Sequence, residues 1–251
     1  MRAAAQDQWK LLDLAETDRL IAQSEHRRRT LPELTELSDL AVRRRDLAEE
    51  VVARATALSD AKAAQDRLEH DLEPARARLE RNRRTVEDGS ITDHKALRSL
   101  TEEIEHLGRR ISTLEDAELE AMQEVEDAQA AHDEANRRRL DLDDHIRIVL
   151  ASRDSSQAAI DREVEDLRRR RDGQAAGVPA DLLDHYEKLR ARTGVGAARL
   201  DHGVCTACGI AANASDLRRW AKAEVDEVIH CEECERILVR TGDSGLDGGR
   251  G

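Results

Sequence analysis

From Leu97 onward, apolar residues recur in steps of three and four: Leu97, Leu100, Ile104, Leu107, Ile111 and Leu114 trace the a/d stripe of a heptad repeat. The same register runs on through Ala121, Val125, Ala128, Ala135, Leu142, Ile146, Val149, Ile160 and Leu167, which predicts one long helix packed on a partner along a narrow seam. Polar seam positions at Glu118, His132, Arg139, Arg153, Ser156 and Glu163 predict local loosening, and the small Ala121, Ala128 and Ala135 predict a closer partner. The preceding stretch has the same period. Leu37, Val51, Leu58, Leu72, Leu79 and Val86 form one column, with Leu34, Ala41, Ala48 and Ala55 expected in the other. Pro32 disfavours helix at Leu31, so a shorter leading helix is expected from Gln6 to Arg29, and Pro74 should kink the second helix.

Between the two long periodic runs lies Glu87-Asp88-Gly89-Ser90-Ile91-Thr92-Asp93, where Gly89 suits positive φ and Asp93 or Thr92 suits an N-cap. The segments on either side are nearly equal in length. At about 1.5 Å per residue each arm would reach on the order of 120 Å before kinks. The expected fold is therefore mainly α: a long kinked antiparallel coiled-coil hairpin over residues 1–172, with its turn near 87–93. A small C-terminal domain follows at 173–240, opening with a linker that contains Gly173 and Gly177 and a short helix after Pro179. Residues 241–251, rich in Gly and with little to bury, are expected to be disordered.

Composition supports an elongated shape. The 251 residues include no Phe, one Tyr and two Trp, and 38% are charged against roughly 25% in an ordinary domain, too little aromatic volume for a wide core. Disorder is the competing explanation for so many charges, but both signs are interleaved and the heptad period is sustained. The net charge of −13 argues against a protein that coats nucleic acid broadly, while leaving room for a local basic patch. With no apolar run of roughly 20 residues and no apolar leader in the first residues, a cytoplasmic protein is expected, with no membrane partner.

All four cysteines fall in two Cys-x-x-Cys knuckles, Cys205/Cys208 and Cys231/Cys234. Each short turn points two thiolates at one ion, and two turns complete a tetrahedral four-thiolate site, so Cys205, Cys208, Cys231 and Cys234 are the candidate ligands of one structural Zn2+. Four protein ligands leave no position for a reactive water. A dithiol redox pair is the alternative, but it accounts for neither the second pair nor the lack of a thioredoxin-like βαβ pattern. His202 and His230 beside the knuckles read as surface residues, and Asp181/His185 and Asp141/His145, at helical spacing, as solvated helix faces. No Ser-His-Asp order, phosphate-binding glycine loop or inward carboxylate pair stands out, so no enzyme and no catalytic residue is expected.

These motifs resemble a bacterial family of coiled-coil proteins ending in a four-cysteine zinc ribbon. Besides the knuckles, the likeness rests on Leu31-Pro32-Glu33-Leu34, Gly89 with Lys95-Ala96-Leu97, and the run Glu102 to Arg110. Asp181-Leu182-Leu183, Tyr186 to Arg190 and Cys231 to Val239 complete it, so that it covers the chain to Arg240. The Arg and Ala content resembles an actinobacterial, mycobacterial-type member. The resemblance implies an adaptor or chaperone: relatives elsewhere serve an alternative sigma factor, flagellar or type III secretion components and, in one case, a messenger RNA. It implies no particular client.

Two surfaces could carry such a role. Between Pro74 and Leu100, Arg76, Arg78, Arg81, Arg83, Arg84, Lys95 and Arg98 stand against Glu80, Glu87, Asp88 and Asp93, a balance of +3 at the hairpin tip that suits an acidic protein or a phosphate backbone. In the ribbon, Arg218, Arg219, Trp220 and Lys222 form a candidate cluster for nucleic acid or a protein partner, with Trp220 available to stack on a base or to pack the ribbon. Residues 204–240 nevertheless balance at −2, with Arg218, Arg219, Lys222, Arg236 and Arg240 against Asp216, Glu224, Asp226, Glu227, Glu232, Glu233 and Glu235. Protein adaptor is the leading reading and RNA or DNA binding the alternative, with a dimeric spacer third, since seams within and between chains look alike.

Overall fold

The computed structural model describes residues 1–246. Its elements are α1 (Ala5–Arg29), α2 (Pro32–Glu87), α3 (His94–Ala176), α4 (Ala180–Thr193), β1 (Ala197–Asp201), β2 (Val204–Cys205), α5 (Ala214–Lys222), β3 (Ile229–His230) and β4 (Ile237–Val239). The chain divides into two compact units, Thr35–Leu150 and the combination of Met1–Leu34 with Ala151–Gly251.

In the Thr35–Leu150 unit, α2 and α3 run antiparallel. Pairing partners ascend on one helix as they descend on the other: Glu36 with His145, Arg44 with Asp143 (2.7 Å), Glu50 with Arg138 (2.6 Å), Arg76 with Glu115 (2.7 Å) and Arg78 with Glu103. Leu107, Ile111, Ala121, Ala135 and Val149 are buried on α3, and the other apolar heptad positions of that helix within the unit are half-buried. On α2 one column differs from expectation. Ala41, Ala48 and Ala55 are exposed, and the seam takes Leu40, Leu47, Ala61, Leu68 and Ala75 beside Leu37, Val51, Leu58, Leu72 and Leu79. Heptad geometry allows a neighbour column three or four residues away, and the column richer in leucine buries more apolar area. The helix runs through Pro74, whose missing N–H leaves the carbonyl four residues back without its helical donor. At the tip, Gly89 adopts φ +62° and Asp93 accepts from the Lys95 N–H at 2.9 Å, as an N-terminal cap does.

In the other unit, α1 pairs with the last part of α3. Ser24 donates to Glu163 at 3.0 Å, Arg28 to Asp161 at 2.7 Å and Arg168 to Glu25 at 2.9 Å, around an apolar cluster of Leu31, Ile160 and Val164. The stretch expected as a linker is helical to Ala176, with Gly173 inside α3, so only residues 177–179 separate α3 from α4. With no proline before Pro179 to stop it, the helix continues to Ala176.

The four short strands form one sheet in the order β2-β1-β4-β3, with β1 and β4 parallel and the outer pairs antiparallel. Alternation along the strands assigns its two faces. Ala197, Ile237 and Val239 pack with Leu11 and Leu14 of α1 and with Leu182, Tyr186 and Leu189 of α4. Ala198, Leu200 and Leu238 pack with Trp220 and with Cys205 and Cys231 on the other side. The leading helix therefore belongs to the ribbon's core as well as to the coiled coil, an assignment that seam periodicity does not make. The first residues join too: Ala3 N–H donates to Asp226 O at 2.7 Å and Val228 N–H to Met1 O at 3.1 Å.

Residues 241–246, expected to be disordered, are docked. Asp243 and Ser244 carbonyls accept from the N–H groups of His202 and Gly203 at 2.7 and 3.1 Å, and the buried Ser244 hydroxyl donates to Leu200 O at 3.0 Å. The β1–β2 turn, with positive φ at His202 and Gly203, leaves backbone groups that this segment satisfies. The rest of the expected tail, 247–251, lies outside the described residues.

Candidate metal centre

The two knuckles are built alike. In the first, Gly209 N–H donates to Cys205 O at 2.8 Å and Cys205 N–H to Ile210 O at 3.1 Å. In the second, Glu235 N–H donates to Cys231 O at 2.9 Å and Cys231 N–H to Arg236 O at 3.0 Å. Each turn closes on a residue with left-handed backbone, Gly209 at φ +71° and Glu235 at φ +60°. The first knuckle follows β2 and the second follows β3, so the sheet carries both.

All four sulfur atoms lie within 4.8 Å of one another, with Cys205–Cys234 and Cys208–Cys231 both at 3.8 Å. A tetrahedral zinc with Zn–S near 2.3 Å requires sulfurs about 3.8 Å apart, a spacing that two of the pairs already have, so the four converging thiols suit one zinc ion. Cys205 and Cys231 are buried and Cys208 and Cys234 half-buried. Burial pushes the Cys205 thiol up to about 12 and raises that of Cys231. Burial also opposes ionisation of Cys234, but the neighbouring Arg236 backbone and guanidinium, and after them the Cys231 and Cys205 thiols, outweigh it and bring that thiol down to about 7. Bound zinc would supply the charge that holds the thiolates ionised and would staple the two knuckles together.

Neither neighbouring histidine is a fifth ligand. His202 is exposed and pairs with Asp201 at 2.6 Å. His230, expected at the surface, is half-buried instead, its Nε2 2.7 Å from Nε2 of His185 with the rings edge to face. Burial lowers the pKa of both. His185 thus engages His230 rather than Asp181, and His145 engages Glu36 rather than Asp141.

The proposed ribbon cluster does not form one surface. Trp220 is 4% exposed and lies in the core behind the knuckles, so its face is closed to a base and packs the ribbon. Arg219 is held by Asp216 at 3.1 Å and by Glu232, while Arg218 and Lys222 are exposed. Asn213 caps α5, accepting from Ser215 and Asp216 N–H groups, and Arg240 closes its other end by donating to the carbonyls of Ala223, Glu224 and Glu227 at 2.6–3.0 Å. At the hairpin tip, Arg76, Arg78 and Arg84 are paired with Glu115, Glu103 and Glu80. Arg81, Arg83, Lys95 and Arg98 are exposed and have no ion-pair partner among the described residues.

Sequence reasoning missed the polar joint between α1, α3 and α4. Asp18, buried on α1, accepts from Arg171 of α3 at 2.6 Å and from the Tyr186 hydroxyl of α4 at 2.6 Å, and Glu187 is held by Arg171 and Arg190. A polar residue on the inner face of α1, in a helix otherwise rich in exposed charge, was the only signal for it.

A two-helix antiparallel hairpin joined to a sheet that carries four convergent thiols defines a coiled-coil protein with a C4 zinc ribbon. Residues 14–194 match the model of the CT398-like coiled coil hairpin domain and residues 204–238 that of the C4-type zinc ribbon domain. The chain belongs to the CT398-like hairpin family and binds one zinc ion through its ribbon. It is 31% identical over 240 residues to protein Rv2229c of Mycobacterium tuberculosis, covering 96% of this chain and 98% of the other. A solved Mycobacterium smegmatis structure superposes with TM-score 0.84 at 31% identity, over 96% of this chain and 100% of that one. CT398 of Chlamydia trachomatis, at TM-score 0.64 and 16% identity over 94% and 98% of the two chains, shares the fold. Both matched families are coiled-coil and zinc-ribbon classes rather than enzyme classes. Among the described residues no helix is long and apolar enough to cross a membrane.

Proposed function

We propose that the protein is a non-enzymatic, zinc-stabilised adaptor of the cytoplasm that binds partner proteins through the Thr35–Leu150 hairpin. The supporting observation is the set of large apolar side chains that a two-helix seam leaves uncovered: Val42, Val52, Leu119, Met122, Leu140 and Ile148 are 43–67% exposed on that one unit. Scattered singly such residues are ordinary, but six on one elongated unit offer anchors for partner helices, and the unpaired Arg81, Arg83, Lys95 and Arg98 add selectivity for acidic partners. The ribbon's part is to fold around zinc and hold the first helix. The nucleic-acid alternative loses its stacking residue with Trp220 in the core.

The test is crosslinked capture from the host cytoplasm, divided before identification into nuclease-treated and untreated halves. Partners that survive nuclease and are lost with Leu119→Asp and Ile148→Asp, or with Arg81→Glu and Arg83→Glu, support the adaptor. Partners that disappear with nuclease, leaving discrete RNA in the untreated half, replace this reading with the nucleic-acid one.

A further inference from the structure

Arg236 touches both the metal knuckle and the end of α4. It follows Cys234 by two positions, and its carbonyl closes the second knuckle by accepting from the Cys231 N–H at 3.0 Å. Its guanidinium donates from Nε to Val195 O at 2.9 Å and from Nη2 to Thr193 O at 2.6 Å. Thr193 is the last residue of α4, where carbonyls have lost their helical donors and the helix dipole is negative. A zinc bound by four thiolates carries a net charge near −2, which favours a cation two positions along the chain from one of its ligands.

The turn it grips leaves little slack. Gly194 stands at φ +82°, and a Cβ added at Gly196 would come within 2.4 Å of the Tyr186 carbonyl. Gly196 O in turn accepts from Ile237 N–H at 3.0 Å, so the turn is tied at both sides of Arg236. Upstream, Leu182, Tyr186 and Leu189 of α4 share a core with Leu11 and Leu14 of α1. A movement of the second knuckle therefore has a direct polar route to the packing of α4.

We propose that Arg236 is a positioning residue of the zinc centre that couples metal occupancy to the seating of the α4–β1 turn. A side chain that only capped α4 would leave metal affinity untouched, and one that only tuned the metal would leave the turn untouched. Outer-sphere partners of metal ligands are typically worth about 10–100-fold in affinity, which sets the expected size of the effect.

The experiment compares the full-length protein with Arg236→Gln and Arg236→Lys, measuring zinc affinity by chelator competition, the sulfur-to-cobalt absorption of the Co2+ form, and amide exchange over residues 190–196. Arg236→Gln is expected to weaken zinc binding about 10–100-fold and to speed exchange at 190–196 even when zinc is saturating. Arg236→Lys keeps the charge but not the forked donors, so it should recover part of the affinity while the turn stays fast. In the unmodified protein, chelation alone should speed exchange at 190–196. Unchanged zinc affinity in Arg236→Gln overturns the proposal, and so does a turn whose exchange ignores chelation. The chelation measurement needs no variant, so it decides the matter even if Arg236→Gln does not fold.

Discussion

The Tyr186 hydroxyl donates a 2.6 Å hydrogen bond to the carboxylate of Asp18 across 168 positions of sequence. Both groups are buried, and Arg171 supplies the charge that makes a carboxylate tolerable there. Tyr186→Phe is expected to destabilise the fold by about 1–3 kcal/mol, because it leaves the Asp18 Oδ2 with only the longer bond from Arg171 Nη2, at 3.4 Å. Asp18→Ala should cost more, about 3–5 kcal/mol, because Arg171 is then buried with part of its pairing lost. Urea unfolding followed by circular dichroism measures both. A Tyr186→Phe midpoint equal to that of the parent would show that the bond contributes nothing net.

Zinc binding should expel protons, and the sign follows from the thiols. In the metal-free protein Cys205, pushed up to about 12, is protonated at neutral pH, Cys231 is also raised, and Cys234, near 7, is partly ionised. Zinc takes thiolates, so roughly two or more protons leave per ion, and affinity falls as pH falls. Titration calorimetry in buffers of different ionisation enthalpy reads the proton count directly. Identical heats in all buffers would refute the expectation, and Cys205→Ser should remove stoichiometric zinc altogether.

The second knuckle carries a backbone cost that the first avoids. Glu235 sits at φ +60° where the matching position is Gly209. Glu235→Gly should stabilise the zinc-loaded ribbon by about 1 kcal/mol, since left-handed backbone costs a side chain roughly that much. The ion pair it gives up, Arg192–Glu235 at 3.0 Å, is exposed on both sides and offsets little. Gly209→Ala should lose about as much as Glu235→Gly gains. Thermal melts in excess zinc test the pair, and a lower melting point for Glu235→Gly contradicts it.

The two tryptophans should report opposite environments. Trp9 is 51% exposed, with its indole N–H donating to Arg240 O at 2.8 Å, whereas Trp220 is 4% exposed. Acrylamide should quench the fluorescence of Trp220→Phe readily and that of Trp9→Phe weakly. Trp220→Ala should also destabilise by about 3–5 kcal/mol through the cavity it leaves. Easy quenching of Trp9→Phe would place Trp220 at the surface.

Close packing at Ala135 admits no larger side chain. It is 0% exposed in the α2–α3 seam, so Ala135→Leu should cost about 1–3 kcal/mol by overpacking. The same change at the exposed Ala48 should be nearly neutral. Equal midpoints for the two variants in urea would mean that the seam is loose at that point.

Much of the metal site was legible before the fold, because two Cys-x-x-Cys turns encode their own geometry locally. Arg236 was not. Its neighbours in space, Thr193 and Val195, are more than 40 positions away, and nothing in the local pattern distinguishes an arginine that reaches carbonyls from one in water. Trp220 shows the same limit in reverse, since an indole beside three cations reads as a binding surface until the sheet is seen to cover it.

The sequence by itself determined the long helices, the tip at Gly89, the seam of α3 and the four zinc ligands, because heptad spacing, turn residues and knuckle spacing act over a few neighbouring positions. Tertiary structure decided which α2 column faces α3, the passage of α3 through Gly173 and the docking of residues 241–246. It also decided that α1 shares its core with the ribbon sheet around Asp18 and Tyr186. Most of those outcomes depend on which surfaces meet across separations of 44 positions, as for Ser244 and Leu200, to 168, as for Asp18 and Tyr186, where burial of leucine over alanine and the pairing of buried polar groups are settled by contacts that no local pattern records.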